Sequence, residues 1–274
     1  MRAICPVCFH HCALEEGQTG LCRARKNVGG RVVCDNYGKL TSMALDPVEK
    51  KPLARFYPGS YLLSVGSYGC NLRCPFCQNS DISMAGAEAE TVFFPAEELV
   101  ARACALQSRG NIGLAFTYNE PLVGYEYVRD CAELIHAAGM KNVLITNGTV
   151  CEGPLEELLP HIDAMNVDLK GFSQTFYDFV GGDFESVRRT IALSAPRCHV
   201  EVTTLVIPGE NDTDEDMEAI GAWIASVDMS IPLHISRFFP QYRLCDRSPT
   251  PVQTIYRLRD IAAKHLRYVY TGNC

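Results

Sequence analysis

From residue 61 onward the chain alternates short apolar runs with helical patterns, and this alternation restricts the fold more than any other feature of the sequence. Strands are expected at 61–66, 112–117, 142–146, 164–168, 199–206 and 232–236, each rich in Val, Ile and Leu. The intervening spacing predicts helices over 95–107, 122–138, 155–159, 184–194 and 215–226, and over 252–265 after the last strand. Pro95 ahead of Glu97 and Glu98 opens one helix, Gly139 closes another, and Asp212-Thr213 precedes an acidic first turn. Six βα units in succession imply a parallel sheet with right-handed crossovers, open or curled, and are too few for a complete eight-stranded barrel.

Residues able to do chemistry fall at the carboxyl ends of these strands: Cys70, Cys74 and Cys77, then Asn119-Glu120, Asn147, Asp168 and Lys170, Pro208-Gly209, and His234 with Arg237. In a barrel-like sheet those ends converge on one mouth, where such folds place active sites. The run Cys70-Asn-Leu-Arg-Cys74-Pro-Phe-Cys77 offers three thiolates to a four-iron cluster and leaves one iron open to a small molecule. Structural zinc prefers four ligands in two separated pairs, which this run does not supply. Alternation puts Asp168 and Lys170 on one face, as ligand contacts or as a structural ion pair. Asn147-Gly148 also reads as a plain turn, and His234 as a satisfied core histidine.

The first sixty residues are of another kind. Cys5-Pro-Val-Cys8-Phe-His-His-Cys12 and Cys22 place four thiols in a stretch with few apolar residues, so a metal is its natural staple. Zinc, a second iron–sulfur cluster and free thiols all remain open. The remaining isolated cysteines read as small buried side chains.

The formal charge of −7 over 274 residues excludes nucleic acid and an anionic membrane as main partners, since both demand clustered Lys and Arg. No apolar run of signal-peptide length opens the chain, so a cytoplasmic location is expected, with the 14 cysteines serving as ligands and buried thiols in a reducing compartment. An oxygen-sensitive cluster points to an anaerobic host.

Cys70, Cys74 and Cys77, with the aromatic Phe76 before the third cysteine, resemble the CxxxCxxC signature of the radical S-adenosylmethionine (SAM) superfamily. Asp46-Pro-Val-Glu-Lys-Lys-Pro52, Phe56-Tyr-Pro-Gly59, Tyr118-Asn-Glu-Pro121, Val167-Asp-Leu-Lys-Gly171, Ser236-Arg-Phe-Phe-Pro240 and Tyr268-Val-Tyr-Thr-Gly-Asn273 are similar to the radical SAM enzymes of the AmmeMemoRadiSam system, often labelled pyruvate formate-lyase activating enzyme homologues. The resemblance implies an α/β fold, a partial (β/α)6 TIM-like barrel over 60–274 behind a small Cys-rich region over 1–59. It implies a [4Fe-4S] cluster that reductively cleaves SAM to a 5′-deoxyadenosyl radical for hydrogen abstraction. Asn119 and Glu120 stand where the family carries its GGEP-like motif. It further implies that Asn147 and Asp168 face the ribose, that Lys170 lies near the SAM carboxylate and that His234 approaches SAM. Partners implied are an electron donor such as flavodoxin or ferredoxin, and AMMECR1-like and Memo-like proteins. The substrate, protein or small molecule, is not named by the sequence, and Arg237, Tyr242 and Arg243 are its candidate selectors. A glycyl-radical-enzyme activase and a non-catalytic iron–sulfur scaffold for electron transfer are the alternatives.

Overall fold

The computed structural model describes residues 1–274. Two small antiparallel hairpins come first, β1 (Ala3–Ile4) with β2 (Ala13–Leu14) and β3 (Arg25–Val28) with β4 (Arg31–Cys34). β5 (Lys39–Leu40) leads into β6 (Ser42–Pro47) and β7 (Tyr61–Gly66), and is later joined by β8 (Val92–Phe93). All six expected strands are present, as β7, β9 (Asn111–Phe116), β10 (Lys141–Thr146), β11 (Ala164–Asp168), β12 (His199–Val206) and β13 (Leu233–Arg237), pairing in parallel in chain order. Two strands extend the sheet beyond expectation. β6 lies antiparallel beside β7, and β14 (Val269–Gly272) lies parallel beside β13. The resulting eight-stranded sheet runs β14-β13-β12-β11-β10-β9-β7-β6, its two edges unpaired with each other. Ser42–Pro47 falls within the segment read as the Cys-rich region, so the barrel sheet begins before residue 60.

The helices are α1 (Ser80–Ser83), α2 (Ala96–Ala105), α3 (Tyr125–Ala137), α4 (Glu152–Leu158), α5 (Gln174–Val180), α6 (Phe184–Ser194), α7 (Asp214–Asp228) and α8 (Val252–Ala262). Asp183 and Thr213 cap α6 and α7 by accepting the backbone N–H of Ser186 at 2.9 Å and of Asp216 at 3.1 Å. α5 was not foreseen, although Ser173 caps it through the Phe176 N–H and Gly181 closes it at φ 69°. No helix is long and apolar enough to cross a membrane.

Strand alternation sorts the side chains. Leu63, Val65, Leu114, Phe116, Leu144, Met165, Val167, Val202, Leu233 and Ile235 join the large core beneath the helices. Leu62, Ala115, Val143 and Ala164 face the other way and meet Val48, Leu53 and Phe56, closing the barrel floor with an apolar cluster. Burying each large side chain of this kind contributes about 1.5–3 kcal/mol.

Polar contacts hold the floor segment, residues 48–56, across the sheet. Lys51 donates to Asp46 at 2.8 Å, and Asn166 Nδ2 donates to the Pro52 carbonyl at 2.7 Å. The backbone N–H groups of Ala54 and Arg55 donate to Glu201 at 3.0 and 2.8 Å. Arg55 places its guanidinium 3.7 Å from the Tyr268 ring, just ahead of β14. The floor is thereby sealed from one edge of the sheet toward the other.

Candidate active site at the barrel mouth

β7 runs into the loop that carries Cys70, Cys74 and Cys77, and this loop is held from several sides. Gly69 adopts φ 90°, and a Cβ there would stand 2.5 Å from the Cys22 carbonyl oxygen, so only glycine fits. The Arg73 N–H donates to the Val180 carbonyl of α5 at 2.7 Å, and the Arg243 N–H donates to the Pro75 carbonyl at 2.8 Å. Cys74 is buried, while Cys70 and Cys77 are half-buried. The Cys70 sulfur accepts from the Leu72 N–H at 3.3 Å and lies 3.6 Å from Asn147 Nδ2. Phe76 is buried with its ring 6.2 Å from that of Phe179.

Asn119, Glu120 and Asn147 brace this loop. Asn119 Oδ1 accepts from the Ser67 N–H at 2.9 Å, and its Nδ2 donates to the carbonyls of Tyr68 and Gly69 at 3.1 and 3.0 Å. Glu120 is buried and accepts from Leu122 N at 3.0 Å, Thr146 Oγ1 at 2.7 Å and Asn147 N at 2.8 Å, which ties β9 to the end of β10. Asn147 Nδ2 reaches Asn71 Oδ1 at 2.9 Å as well as Cys70. Asn71 had no signal in the sequence beyond its place next to Cys70, yet it joins the two loops.

The electrostatics follow from burial and charge. Burial pushes the Cys70 thiol well up, and the Glu120 and Cys74 charges add to this. Burial raises Cys74 to about 11, against the pull of Lys170. Lys170 donates to Asp168 at 3.0 Å; burial alone would lower the ammonium, but the Asp168 and Cys74 charges hold it above the usual lysine range. Asp168 and Lys170 therefore pair at the mouth, with the cation acting on Cys74.

His234 stands apart from this group. Its Nε2 lies 2.5 Å from Glu201 and its ring stacks on Tyr270 with centroids 5.2 Å apart. Glu201, fully buried on the neighbouring strand, draws both His199 and His234, so His234 has the satisfied core partner that its second reading expects. Arg237 donates from Nε to the Thr250 carbonyl at 2.6 Å, with its guanidinium 4.7 Å from the Phe239 ring.

The donor set suits a [4Fe-4S] cluster: three thiols on one loop, N–H donors toward Cys70 and a cation acting on Cys74. No three Cys, His, Asp or Glu side chains already converge as they would on a single ion. A cuboidal cluster does not require that, since each thiolate takes a separate iron.

The radical SAM superfamily profile matches residues 64–221, more than half of the chain. The chain belongs to the radical SAM superfamily. It is accordingly an enzyme of α/β partial-barrel fold, and membership implies a [4Fe-4S] cluster and SAM as its cofactors. An uncharacterised protein of Methanocaldococcus jannaschii is 37% identical over 98% of this chain and 80% of its own length. The pyruvate formate-lyase-activating enzyme of Clostridium pasteurianum is 27% identical over 71% of this chain and 81% of its own. The structure of Streptococcus suis SuiB bound to S-adenosylmethionine shares the radical SAM barrel, with a TM-score of 0.60 at 12% identity over 78% of this chain and 52% of that one.

Proposed function

We propose that the protein reductively cleaves SAM to methionine and a 5′-deoxyadenosyl radical, which abstracts a hydrogen atom from a substrate at the barrel mouth. The observation that carries this reading is the loop of Cys70, Cys74 and Cys77 standing at the mouth beside the Asp168–Lys170 pair. When bound, the cluster supplies the electron and, on the iron that no cysteine holds, an attachment point for the amino and carboxylate groups of SAM. Lys170 offers a cation to that carboxylate, and Asp168 an acceptor to the ribose hydroxyls. Asn119 and Glu120 hold the loops in place, Asn147 directs an N–H at Cys70, and the closed floor limits water around the radical.

The test is EPR of the reconstituted, reduced protein with and without SAM, together with assay of 5′-deoxyadenosine. SAM should shift the cluster signal, and Ala at Cys70, Cys74 or Cys77 should reduce 5′-deoxyadenosine to background while the fold persists. Turnover retained in any of these variants sinks the assignment.

Similarity to the Clostridium pasteurianum activating enzyme favours a second reading, in which the substrate is a protein that receives its radical at a glycine. A glycyl EPR signal in a partner incubated with this enzyme, SAM and reductant supports it. A flavodoxin or ferredoxin fits as electron donor, and AMMECR1-like and Memo-like proteins are the binding partners the sequence resemblance proposes, testable by co-purification.

A further inference from the structure

The N-terminal cysteines lie outside everything the proposed reaction uses. Ile4 and Ala13 are paired in the β1–β2 hairpin, and the Cys5 N–H donates to the Cys12 carbonyl at 2.9 Å, so Cys5 and Cys12 flank the same closed loop. Cys8 lies within that loop, its carbonyl accepting the His11 N–H at 3.0 Å. Cys22 arrives on the turn closed by Arg23 N–H to the Gly20 carbonyl at 2.9 Å, and a Cβ on Gly20 would stand 3.6 Å from the Cys12 sulfur. Cys5, Cys8 and Cys22 are buried although the two strands of this hairpin are only two residues each. The hairpin and this turn bring the four cysteines into one small segment, and because no three of their side chains already converge as they would on a single ion, a metal would draw the sulfurs together from this backbone arrangement. Cys22 joins only a small apolar cluster with Ala24, Tyr68 and Val123, and a segment of this size gains its order from a staple.

The hairpin sits against the loop of the radical SAM cluster. His10 Nε2 donates to the Asn71 carbonyl at 2.9 Å, the residue after Cys70, and the Cys151 N–H donates to the Val7 carbonyl at 2.9 Å. The Cys22 carbonyl fills the space that a side chain at position 69 would need.

We propose that Cys5, Cys8, Cys12 and Cys22 form a second metal site, a tetrathiolate centre for a thiophilic metal, which fastens the N-terminal hairpin to the loop of the radical SAM cluster. Zinc and the iron of a second iron–sulfur cluster share this ligand chemistry, and binding releases the thiol protons to solvent.

The full chain, purified anaerobically, is alkylated with iodoacetamide before and after treatment with a strong chelator. Labelled cysteines are located by peptide mass spectrometry, and zinc and iron are counted. The expected result is that Cys5, Cys8, Cys12 and Cys22 are protected together and become labelled together as metal leaves. Release of about one zinc per chain assigns a mononuclear centre, and iron beyond about four per chain assigns a second cluster. Independent labelling of the four without chelator dependence, with no zinc and no iron beyond about four per chain, overturns the proposal. The C70A/C74A/C77A variant separates this site from the reaction: the N-terminal metal stays while SAM cleavage is lost, and additional C8S and C22S substitutions remove that metal.

Discussion

Glu120 at the mouth and Glu201 near the floor are equally hidden, with 3% and 0% of their surface exposed, yet their acidities diverge. Burial raises Glu120 to about 7, because its donors are a hydroxyl and two backbone N–H groups and Asp168 adds a like charge. Burial would raise Glu201 too, but His199, His234 and the N–H groups of Ala54 and Arg55 bring it down to about 2. Burial sets the cost of a charge, and the partners decide whether it is met. The floor resolves its carboxylate within the fold and serves as a foundation. The mouth keeps a carboxyl poised near neutrality, one hydrogen bond away from the Asn147 that reaches Cys70.

The difference is open to direct attack. Glu201→Ala should cost the most, about 3–5 kcal/mol in chemical denaturation at pH 7, because two imidazoles and two N–H groups lose a buried acceptor. Its 5′-deoxyadenosine yield per folded molecule should stay within about twofold of the parent. A stability loss below about 1 kcal/mol would show that the floor does not depend on this carboxylate.

The pH dependence should separate the two groups by sign. Glu201 is depressed from 4.5 to about 2, so its contribution, about 3 kcal/mol, is full above pH 4.5 and lost as pH falls through 2. Glu120 is raised from 4.5 to about 7, so stability it allows below pH 4.5 declines as pH rises through 7. Urea titrations across this range should show E201Q without the acid-side loss and E120Q without the decline toward neutrality. Parallel curves for the two variants contradict the contrast.

Lys170→Met at the mouth should lower 5′-deoxyadenosine formation about ten- to a hundredfold, the worth of one charge-assisted hydrogen bond of ~1.5–3 kcal/mol. An unchanged rate would remove Lys170 from SAM binding. Thr146→Val should have the smallest effect, about 1 kcal/mol, since it deletes one neutral donor to Glu120. It should also steepen the decline in stability toward pH 7.

The six central strands and the three cysteines could be read from the chain because each is a local pattern: apolar runs of strand length, and ligands within eight residues. β6 and β14 escaped because their side chains are mostly half-buried, so their apolar signal is weak. α5 is seven residues long, and its Ser173 cap and closing Gly181 were the cues to it. Asp168 and Lys170 were expected on one face, and they meet there. His234 takes Glu201 as its partner, a residue no local pattern singled out.

The sequence by itself determined the alternating architecture, the loop chemistry of Cys70, Cys74 and Cys77, and the concentration of polar groups at strand ends. Tertiary structure alone decided which partners those groups take and which of them brace the loops and the floor. The physical reason is that a buried polar group takes its properties from partners distant in the chain: Glu201 is met by the N–H of Ala54 from 147 positions away, and Asn71 by Asn147 from 76.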